Sequence, residues 1–283
     1  MADAISVTRN GHRTFFKWHR GRRQASDPVF TGRRIVEGMQ LGASVEVDLV
    51  IHADDGMAVL HNLSLEEETT GTGLVRRTPA AVLRELHLRD NAGQPIADKV
   101  LLLEDLCALI ARDGAHPDGL LQLDYKQDAA ALTPAVVARF AEALAPVARH
   151  FILSSGDAPA VKLLTDAVPA MRVGYDPCHD GAIERLMASR DYAGFVADAL
   201  AASPRAEMHY LEYRLVLAAK DDGFDLIAAF HAAGKRIDAY TVKLADTGGM
   251  SIIERLLALK VDQITTDDPE GVAARLNQPA ASA

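Results

Sequence analysis

The sequence predicts an α/β protein folded as a (β/α)8 barrel, also called a TIM barrel. Short apolar or β-branched runs alternate with segments of helical apolar spacing along almost the whole chain. The length of 283 residues is also typical of this fold. A doubly wound open sheet is the alternative, but no glycine-rich phosphate loop follows the first strand, which favours the barrel.

Eight segments are predicted as strands because they are short, apolar or β-branched, and bounded by polar or turn residues. The second of them is followed by the hairpin signal Asp54-Asp55-Gly56, with the chain returning over Ala58–Leu60 and then a long irregular stretch. The predicted strands are Phe15–Trp18, Ser44–Val50, Leu120–Tyr125, Phe151–Ser154, Met171–Gly174, Met208–Glu212, Ile237–Val242 and Asp262–Thr265.

Helical segments lie between most of these strands, and two of them carry start signals. Asp157 precedes one helix, with Pro159 just inside it. Ser251 and Glu254 have the spacing of a capping box, which places a helix start at Ser251. The predicted helices are Arg34–Leu41, Leu101–Arg112, Ala135–Ala148, one that follows Asp157, Ala182–Ala188, Leu226–Ala233, Ile252–Leu259 and Pro269–Leu276.

Charge and composition limit the classes of function. A formal charge of −9 leaves no broad basic surface, which argues against binding to nucleic acid or to anionic membranes. No signal peptide and no membrane-spanning apolar run are recognisable, and the lone cysteines Cys107 and Cys178 set no disulfide framework. We therefore expect a cytoplasmic protein with one domain over residues 1–283. Its oligomeric state is left open.

Two acidic residues, Glu46 and Asp48, lie on the predicted second strand among apolar neighbours. Strand periodicity puts both carboxylates on one face, while Val45, Val47 and Leu49 point to the other. Two ionised carboxylates about 5 Å apart repel by about 3 kcal/mol at an effective dielectric constant of about 20. A fold tolerates this repulsion where a cation binds between the two acids. The alternative is an exposed edge strand with solvated acids.

In barrel enzymes the catalytic residues lie at the C-terminal ends of the strands, and these positions are polar here. The first strand leads to His19 and Arg20, and the third ends with Asp124 and Lys126. The hairpin after the second strand returns His61 toward the same end. The acids at the ends of the second and third strands, Glu46, Asp48 and Asp124, form an all-oxygen set that suits one hard divalent cation, Mg²⁺ or Ca²⁺. Two cationic side chains and two histidines beside it indicate a phosphoester site.

Several other polar residues are more simply explained without a catalytic role. Glu66-Glu67-Glu68 is expected to be a solvated charge run. Lys17 points to the same face as His19, either as a buried ion-pair partner of the acids or as a substrate contact. Four histidines are expected to be surface or hydrogen-bonded residues: His12, His87, His116 and His231.

Taken in order, the motifs resemble those of the glycerophosphodiester phosphodiesterase family from about residue 15 to residue 276. Each motif alone is weak evidence, whereas the ordered set is strong. The resemblance implies a metal-dependent phosphodiesterase barrel with a small insertion after the second strand, at about residues 57–99, that caps the mouth. The matching segments are Trp18–Gly21, Leu41–Asp48, Asp55-Gly56, His61, Thr69–Val75 with Thr78, Leu123–Lys126, Ile152–Ser155, Tyr240–Val242 and Ile264–Pro269.

Carried over residue by residue, the family pattern implies a role for each site residue. The implied reaction is hydrolysis of a glycerophosphodiester, a small-molecule substrate, to glycerol 3-phosphate and an alcohol. The implied metal ligands are Glu46, Asp48 and Asp124, the implied acid/base pair is His19 and His61, and the implied phosphate contacts are Arg20, Lys126 and Tyr240.

The sequence departs from the family pattern at positions that bear on the substrate. Asn62 follows His61 where Asp is usual, and Glu68 stands where Arg usually precedes two threonines. Lys243 replaces a small polar residue. Because of these differences, the substrate is left open: the same chemistry could act on an opine-like sugar phosphodiester or on a lysophospholipid. A non-catalytic barrel that only binds phosphodiesters is a further alternative, against which the two histidines argue.

Overall fold

The computed structural model describes residues 3–278 and shows a closed barrel of eight parallel strands, as the sequence predicts. Two further strands extend the barrel sheet and two form a separate hairpin. In chain order the strands are β1 (Ser6–Arg9), β2 (His12–Trp18), β3 (Ser44–Ile51), β4 (Met57–Val59), β5 (His87–Arg89), β6 (Pro95–Lys99), β7 (Leu120–Tyr125), β8 (Phe151–Ser154), β9 (Arg172–Tyr175), β10 (Met208–Glu212), β11 (Arg236–Val242) and β12 (Gln263–Thr266).

Hydrogen bonds close the barrel in the order β2–β12–β11–β10–β9–β8–β7–β3, and β3 pairs back onto β2. Neighbouring strands in this ring are parallel. The first and last barrel strands along the chain, β2 and β12, are therefore neighbours. Outside the ring, β1 pairs with β2 and β4 with β3, both in the antiparallel sense.

Helices surround the barrel and bury apolar residues between themselves and the outer face of the strands. Within residues 3–278, none of these helices combines the length and the apolar character needed to cross a membrane. The helices are α1 (Gly32–Leu41), α2 (Ala80–Leu83), α3 (Leu103–Asp113), α4 (Pro134–Leu144), α5 (Ala158–Ala167), α6 (Ala182–Ser189), α7 (Tyr192–Ala202), α8 (Tyr213–Asp221), α9 (Leu226–Ala232), α10 (Thr247–Ala258) and α11 (Pro269–Leu276).

The start of α10 differs from the sequence prediction. The helix begins at Thr247, and Asp246 caps it by accepting a hydrogen bond from Gly249 N at 2.8 Å. The capping box predicted at Ser251 is therefore wrong, because Ser251 lies inside the helix. Glycine is a poor helix former, so the Gly248-Gly249 pair concealed the first turn.

Other helices also differ in extent from the prediction. α4 ends at Leu144 and not at Ala148, since Pro146 has no backbone N–H with which to continue the hydrogen bonds of the helix. α7 was not predicted because it is rich in alanine and has little apolar periodicity. α8 was also missed, since it follows β10 directly and no turn residues separate the two.

The segment 57–99 contains more regular structure than the sequence indicated. β4 lies at its start, and β5 and β6 form an antiparallel hairpin near its end. Asn91 Nδ2, at the tip of this hairpin, donates a hydrogen bond to Ala25 O at 3.0 Å. The segment is thus joined both to β3 and to the loop after β2, on the side of the barrel where the site lies.

The register of three neighbouring strands places polar side chains in rows. Asp48 on β3 pairs with Asp124 on β7, and Asp124 pairs with Ser154 on β8. Glu46 and Gln122 form the next row toward the amino ends of the strands. The apolar residues between the acids of β3 belong to the core that packs against the helices, which confirms the strand parity inferred from the sequence.

Candidate active site

A cavity of about 460 Å³ opens at the C-terminal ends of the barrel strands and is lined mostly by charged and polar side chains. The structure brings together all the residues that the sequence analysis assigned to the site. They are His19, Arg20, Glu46, Asp48, His61, Asp124, Lys126 and Tyr240. The four histidines set aside in the sequence analysis do not line this cavity.

Three carboxylates form a compact cluster on one wall. Glu46, Asp48 and Asp124 each place an oxygen within 4.8 Å of the other two. Asp48 is only 1% exposed, and its Oδ2 has no hydrogen-bond partner among residues 3–278. A buried carboxylate oxygen that accepts no hydrogen bond and lies beside two other carboxylates is suited to a hard divalent cation, which prefers oxygen ligands. The donor set therefore fits the cation expected from the sequence.

Two cationic side chains lie against the same acids. Lys126 Nζ is 2.8 Å from Asp48 Oδ1 and forms a close ion pair with Asp124. Arg20 Nε is 3.2 Å from Asp48 Oδ2. With all three carboxylates ionised, the cluster and its two cationic side chains carry a net charge of minus one. Binding of a divalent cation and a singly charged phosphodiester would bring the net charge of the site to zero.

The pKa values of the cluster diverge in a way that follows from these contacts. Burial and then repulsion from Asp48 raise the pKa of Glu46. Burial acts in the same direction on Asp48, but Lys126 and Arg20 outweigh it and lower the pKa of Asp48 to about 2. Burial lowers the pKa of Lys126, whereas Asp124 and Asp48 raise it to above its ordinary value. Asp48 and Lys126 are therefore charged at neutral pH.

A tight turn at the end of β2 positions His19 and Arg20. Arg20 has a φ of 54° and Gly21 a φ of 72°, so two successive residues adopt the left-handed conformation. This turn allows Arg20 N to donate a hydrogen bond to Glu46 Oε2 at 2.8 Å. It also directs His19 into the cavity, where His19 Nε2 lies 3.9 Å from Glu46 Oε2.

His19 is held from behind by Asp267, which directly follows β12. His19 Nδ1 is 2.6 Å from Asp267 Oδ1, and Arg22 Nη2 is 2.6 Å from the same oxygen. Burial lowers the pKa of His19, and Asp267 opposes this effect. Asp267 has no assigned role among the expectations from the sequence. The available signal was its place at the end of the last strand, because that strand neighbours the first strand in a closed barrel.

His61 is held by its own loop. His61 Nδ1 lies 2.8 Å from Asn62 Oδ1, so the amide takes the place of the usual carboxylate as the partner of the imidazole. Glu68 Oε2 accepts hydrogen bonds from the backbone N–H groups of His61 and Asn62, at 3.0 and 2.9 Å. Glu68 is buried, and burial raises its pKa. The expectation of a solvated charge run is therefore wrong for Glu68.

A chain of buried polar side chains runs beneath the acid cluster. Ser154 Oγ donates to Asp124 Oδ1 at 2.7 Å, and Gln122 Nε2 donates to Ser154 Oγ at 2.7 Å. Lys17 donates to Gln122 and pairs with Asp238, with Lys17 Nζ 3.1 Å from Asp238 Oδ2. Of the two alternatives for Lys17, the structure shows a buried ion pair, but its partner is Asp238 and not the acids of the cluster. The strand register that builds this chain was not available from the sequence.

Solved structures with the same fold support the barrel assignment. An Oleispira antarctica phosphodiesterase in complex with the product sn-glycerol-3-phosphate is 20% identical, with a TM-score of 0.65 over 93% of this chain and 96% of that one. A glycerophosphoryl diester phosphodiesterase from Parabacteroides distasonis is 17% identical, with a TM-score of 0.65 over 99% and 92%. A glycerophosphodiester phosphodiesterase from Agrobacterium tumefaciens is 18% identical, with a TM-score of 0.63 over 92% and 99%. At these identities the likeness shows the fold alone.

The family comparison covers most of the chain. No curated protein matches the sequence significantly. The model of the glycerophosphoryl diester phosphodiesterase family matches residues 35–271, a range that contains the three clustered acids, His61 and Asp267. The chain therefore belongs to the glycerophosphoryl diester phosphodiesterase family and is a phosphoric diester hydrolase.

Proposed function

We propose that this enzyme hydrolyses glycerophosphodiesters to glycerol 3-phosphate and an alcohol, with one divalent cation held by Glu46, Asp48 and Asp124. The observation that carries the proposal is the cluster of three carboxylate oxygens within 4.8 Å of one another, in the same cavity as two histidines. The Oleispira antarctica phosphodiesterase of the same fold, solved with sn-glycerol-3-phosphate, supports this choice of product.

The cation is proposed to be Mg²⁺ or Ca²⁺, since all three side-chain ligands are carboxylates. When bound, it neutralises charge on the phosphate oxygens as a Lewis acid. Arg20 and Lys126 border the acid cluster and are proposed to contact the phosphate. Tyr240 lies on the cavity wall and is proposed as a third phosphate contact; burial, followed by Asp176, raises the pKa of its phenol.

The two histidines are proposed to divide the proton transfers. Asp267 accepts a hydrogen bond from His19 Nδ1, which leaves Nε2 free on the side of the acid cluster. A carboxylate in this position stabilises the imidazolium that forms when Nε2 takes a proton, so we assign His19 as the general base. His61 is then the general acid that protonates the departing alkoxide. The attacking group is water or a neighbouring hydroxyl of the substrate.

Product analysis tests the overall reaction. The metal-free protein is incubated with glycerophosphocholine and glycerophosphoglycerol, with and without added Mg²⁺ or Ca²⁺, and glycerol 3-phosphate is measured. We expect release that requires the cation and stops with a chelator. Turnover that is unaffected by the chelator removes the cation from the proposal, and the absence of glycerol 3-phosphate removes the glycerophosphodiester.

The leaving group tests the two histidine roles separately. A nitrophenyl ester of glycerol phosphate expels a stable phenolate and needs little help from a general acid. We expect His61→Gln to lose about 10²- to 10⁴-fold in kcat/KM with a glycerol leaving group, but less than about 10-fold with nitrophenol. We expect His19→Gln to lose activity with both. His116→Gln, which changes a histidine outside the cavity, is the matched control. Equal losses of the His61 variant on both substrates contradict its role as the acid.

A second substrate class is a sugar phosphodiester. Lys243, which departs from the family pattern, lines the cavity and gives this hypothesis a structural basis. The charged lining favours polar alcohols and argues against a lysophospholipid, whose acyl chain needs an apolar surface. Rates on glycerophosphocholine and on sugar phosphodiesters, measured side by side, separate the two classes.

We also propose that residues 57–99 serve the barrel as a capping segment of one single-domain, cytoplasmic enzyme. Of the described residues in this segment, His61 is the one that lines the cavity, so its main task is to hold that histidine. Cys107 and Cys178 are free and buried, and the lack of a disulfide between them supports the proposed cytoplasmic location.

A further inference from the structure

The wall of the cavity that faces β3 carries groups that the proposed reaction does not use. In the ring order β10 lies across the barrel from β3, and β9 and β11 flank β10. The segments that follow β9 and β11 bring His179 and Lys243 to the cavity. With the phosphate placed at the acid cluster, as proposed, this wall lies across the cavity from it and is available to one of its two ester groups.

Lys243 differs from the other cationic residues of the cavity. The other four lysine or arginine side chains that line it each pair with a carboxylate: Lys17 with Asp238, Arg20 with Asp48, Arg22 with Asp267, and Lys126 with Asp48 and Asp124. In residues 3–278, Lys243 forms neither an ion pair nor a side-chain hydrogen bond. Its positive charge therefore remains available to an anionic ligand.

His179 is a second polar side chain on this wall, and it is already oriented. His179 Nε2 lies 3.0 Å from Asp176 Oδ2, and this hydrogen bond raises the pKa of His179. The ring also packs on Gly156, since a Cβ added there would come within 2.3 Å of His179 Cγ. Asp176 thus fixes one edge of the imidazole and Gly156 its position, while the side chain stays 45% exposed toward the cavity.

The cavity continues beyond Lys243. A second cavity of about 530 Å³ shares Tyr240, Thr241 and Lys243 with the first and reaches Arg214. Its acidic residues are already engaged, because Glu212 pairs with Arg214 and Asp246 caps α10. There is therefore room for an alcohol group larger than choline, with Lys243 at the junction of the two cavities.

We infer that Lys243 and His179 form a second anion subsite, which recognises a phosphate or carboxylate on the alcohol part of the diester. This inference rests on the proposed function and narrows its substrate class to diesters with an acidic leaving alcohol. The acid cluster and its cation take the phosphodiester, while the far wall takes the additional anion. A dianionic phosphate interacts more strongly with the ammonium group of Lys243 than a singly charged carboxylate does.

Three matched substrates test the inference. Their leaving alcohols are glycerol, glycerate and glycerol phosphate, and all three carry the same glycerol phosphate on the other side. For the unaltered enzyme we expect kcat/KM to rise in that order, with the phosphorylated substrate about 3- to 10-fold above the neutral one. In Lys243→Met we expect this ratio to fall to near one. Gly156→Ala displaces the His179 ring and is expected to lower the ratio in part, with Lys243 intact.

Lys260→Met is the control, because Lys260 is an exposed lysine that precedes β12 at the opposite end of the barrel. It removes the same charge and is expected to keep the ratio of the unaltered enzyme. Equal kcat/KM values for the three substrates in the unaltered enzyme overturn the inference, as does a preference that survives in Lys243→Met. Failure to hydrolyse any of the three overturns the proposed function instead, so the two failures are distinguishable.

Discussion

At the scale of single residues, the two histidines differ in the group that orients each imidazole. His19 is paired with the carboxylate of Asp267, while His61 is paired with the amide of Asn62. A carboxylate stabilises the positive charge that a base acquires, and an amide does not. The departure from the usual Asp at position 62 therefore makes the two histidines unequal and is consistent with the division of roles proposed above.

Asp267→Asn tests the pairing of His19. The amide retains the size of the side chain but loses the charge that stabilises the imidazolium. We expect kcat to fall by roughly two to three orders of magnitude, with a much smaller change in KM, in steady-state assays on glycerophosphoglycerol.

Asp225→Asn is the control for this variant. Asp225 caps α9 by accepting a hydrogen bond from Ala228 N, and asparagine caps a helix equally well. A kcat for Asp267→Asn within about twofold of that of Asp225→Asn excludes the proposed role of Asp267.

The sequence was most informative at the ends of strands and least informative about contacts between distant strands. Glu46 and Asp48 are identifiable because two acids on the same face of one strand repel each other, and this repulsion is costly without a cation. Glu68 was misjudged, because a run of three acids is usually solvated and nothing local shows that the third one meets two backbone N–H groups. Such contacts depend on how a loop folds back, which periodicity does not report.

At the scale of secondary-structure elements, β2, β7 and β8 cooperate to hold one proposed metal ligand. Lys17, Gln122 and Ser154 form a hydrogen-bonded chain that ends at Asp124 Oδ1. Partners of this kind fix the orientation of a ligand without touching the metal. We therefore expect that removing one of these side chains weakens the positioning of Asp124 while the fold persists.

Ser154→Ala tests this support. Removal of the hydroxyl leaves Asp124 with one hydrogen bond fewer, and we expect the affinity for Mg²⁺ or Ca²⁺ to fall about 10-fold or more. Calorimetric titration of the metal-free protein measures it directly. Ser155→Ala is the matched control, because that hydroxyl donates to Tyr125 O and not to a proposed ligand. Equal affinities in the two variants contradict the positioning role of Ser154.

The 57–99 segment offers a second test at this scale. Glu68→Ala removes the acceptor of the His61 and Asn62 backbone N–H groups, so the loop that holds His61 loses its anchor. We expect about a 10-fold loss of kcat/KM with glycerol as leaving group, and a smaller loss with nitrophenol. Glu66→Ala changes an acid of the same run that bonds to Gly73 N instead, and should leave both rates unchanged. An equal loss on both substrates points to general unfolding of the segment.

At the scale of the whole molecule, a histidine enclosed between the barrel and its helices links stability to pH. His209, on β10, is fully buried and packs on Phe230, with ring centroids 4.8 Å apart. Burial lowers its pKa from 6.5 to about 4. The unfolded chain therefore binds a proton between these values that the folded protein does not, so stability decreases as the pH falls through this window.

His209→Phe removes this dependence. For the unaltered protein, the pKa difference predicts a loss of roughly 1.5 kcal/mol of unfolding free energy between pH 6.5 and pH 5 from this group. Between the same two pH values, we expect the unfolding free energy of the variant to fall by roughly 1.5 kcal/mol less than that of the unaltered protein. Urea denaturation at the two pH values measures this difference. His116→Phe, at an exposed position, provides the control. Parallel pH profiles for the unaltered protein and His209→Phe exclude the linkage.

Closure of the barrel brings together residues from near the two ends of the chain. Asp267 lies 248 residues after the His19 that it orients, and β12 must dock on β2 before the two can meet. Under the proposed mechanism, full activity therefore needs nearly the whole chain, because a chain that ends before residue 267 leaves the proposed base without its carboxylate partner.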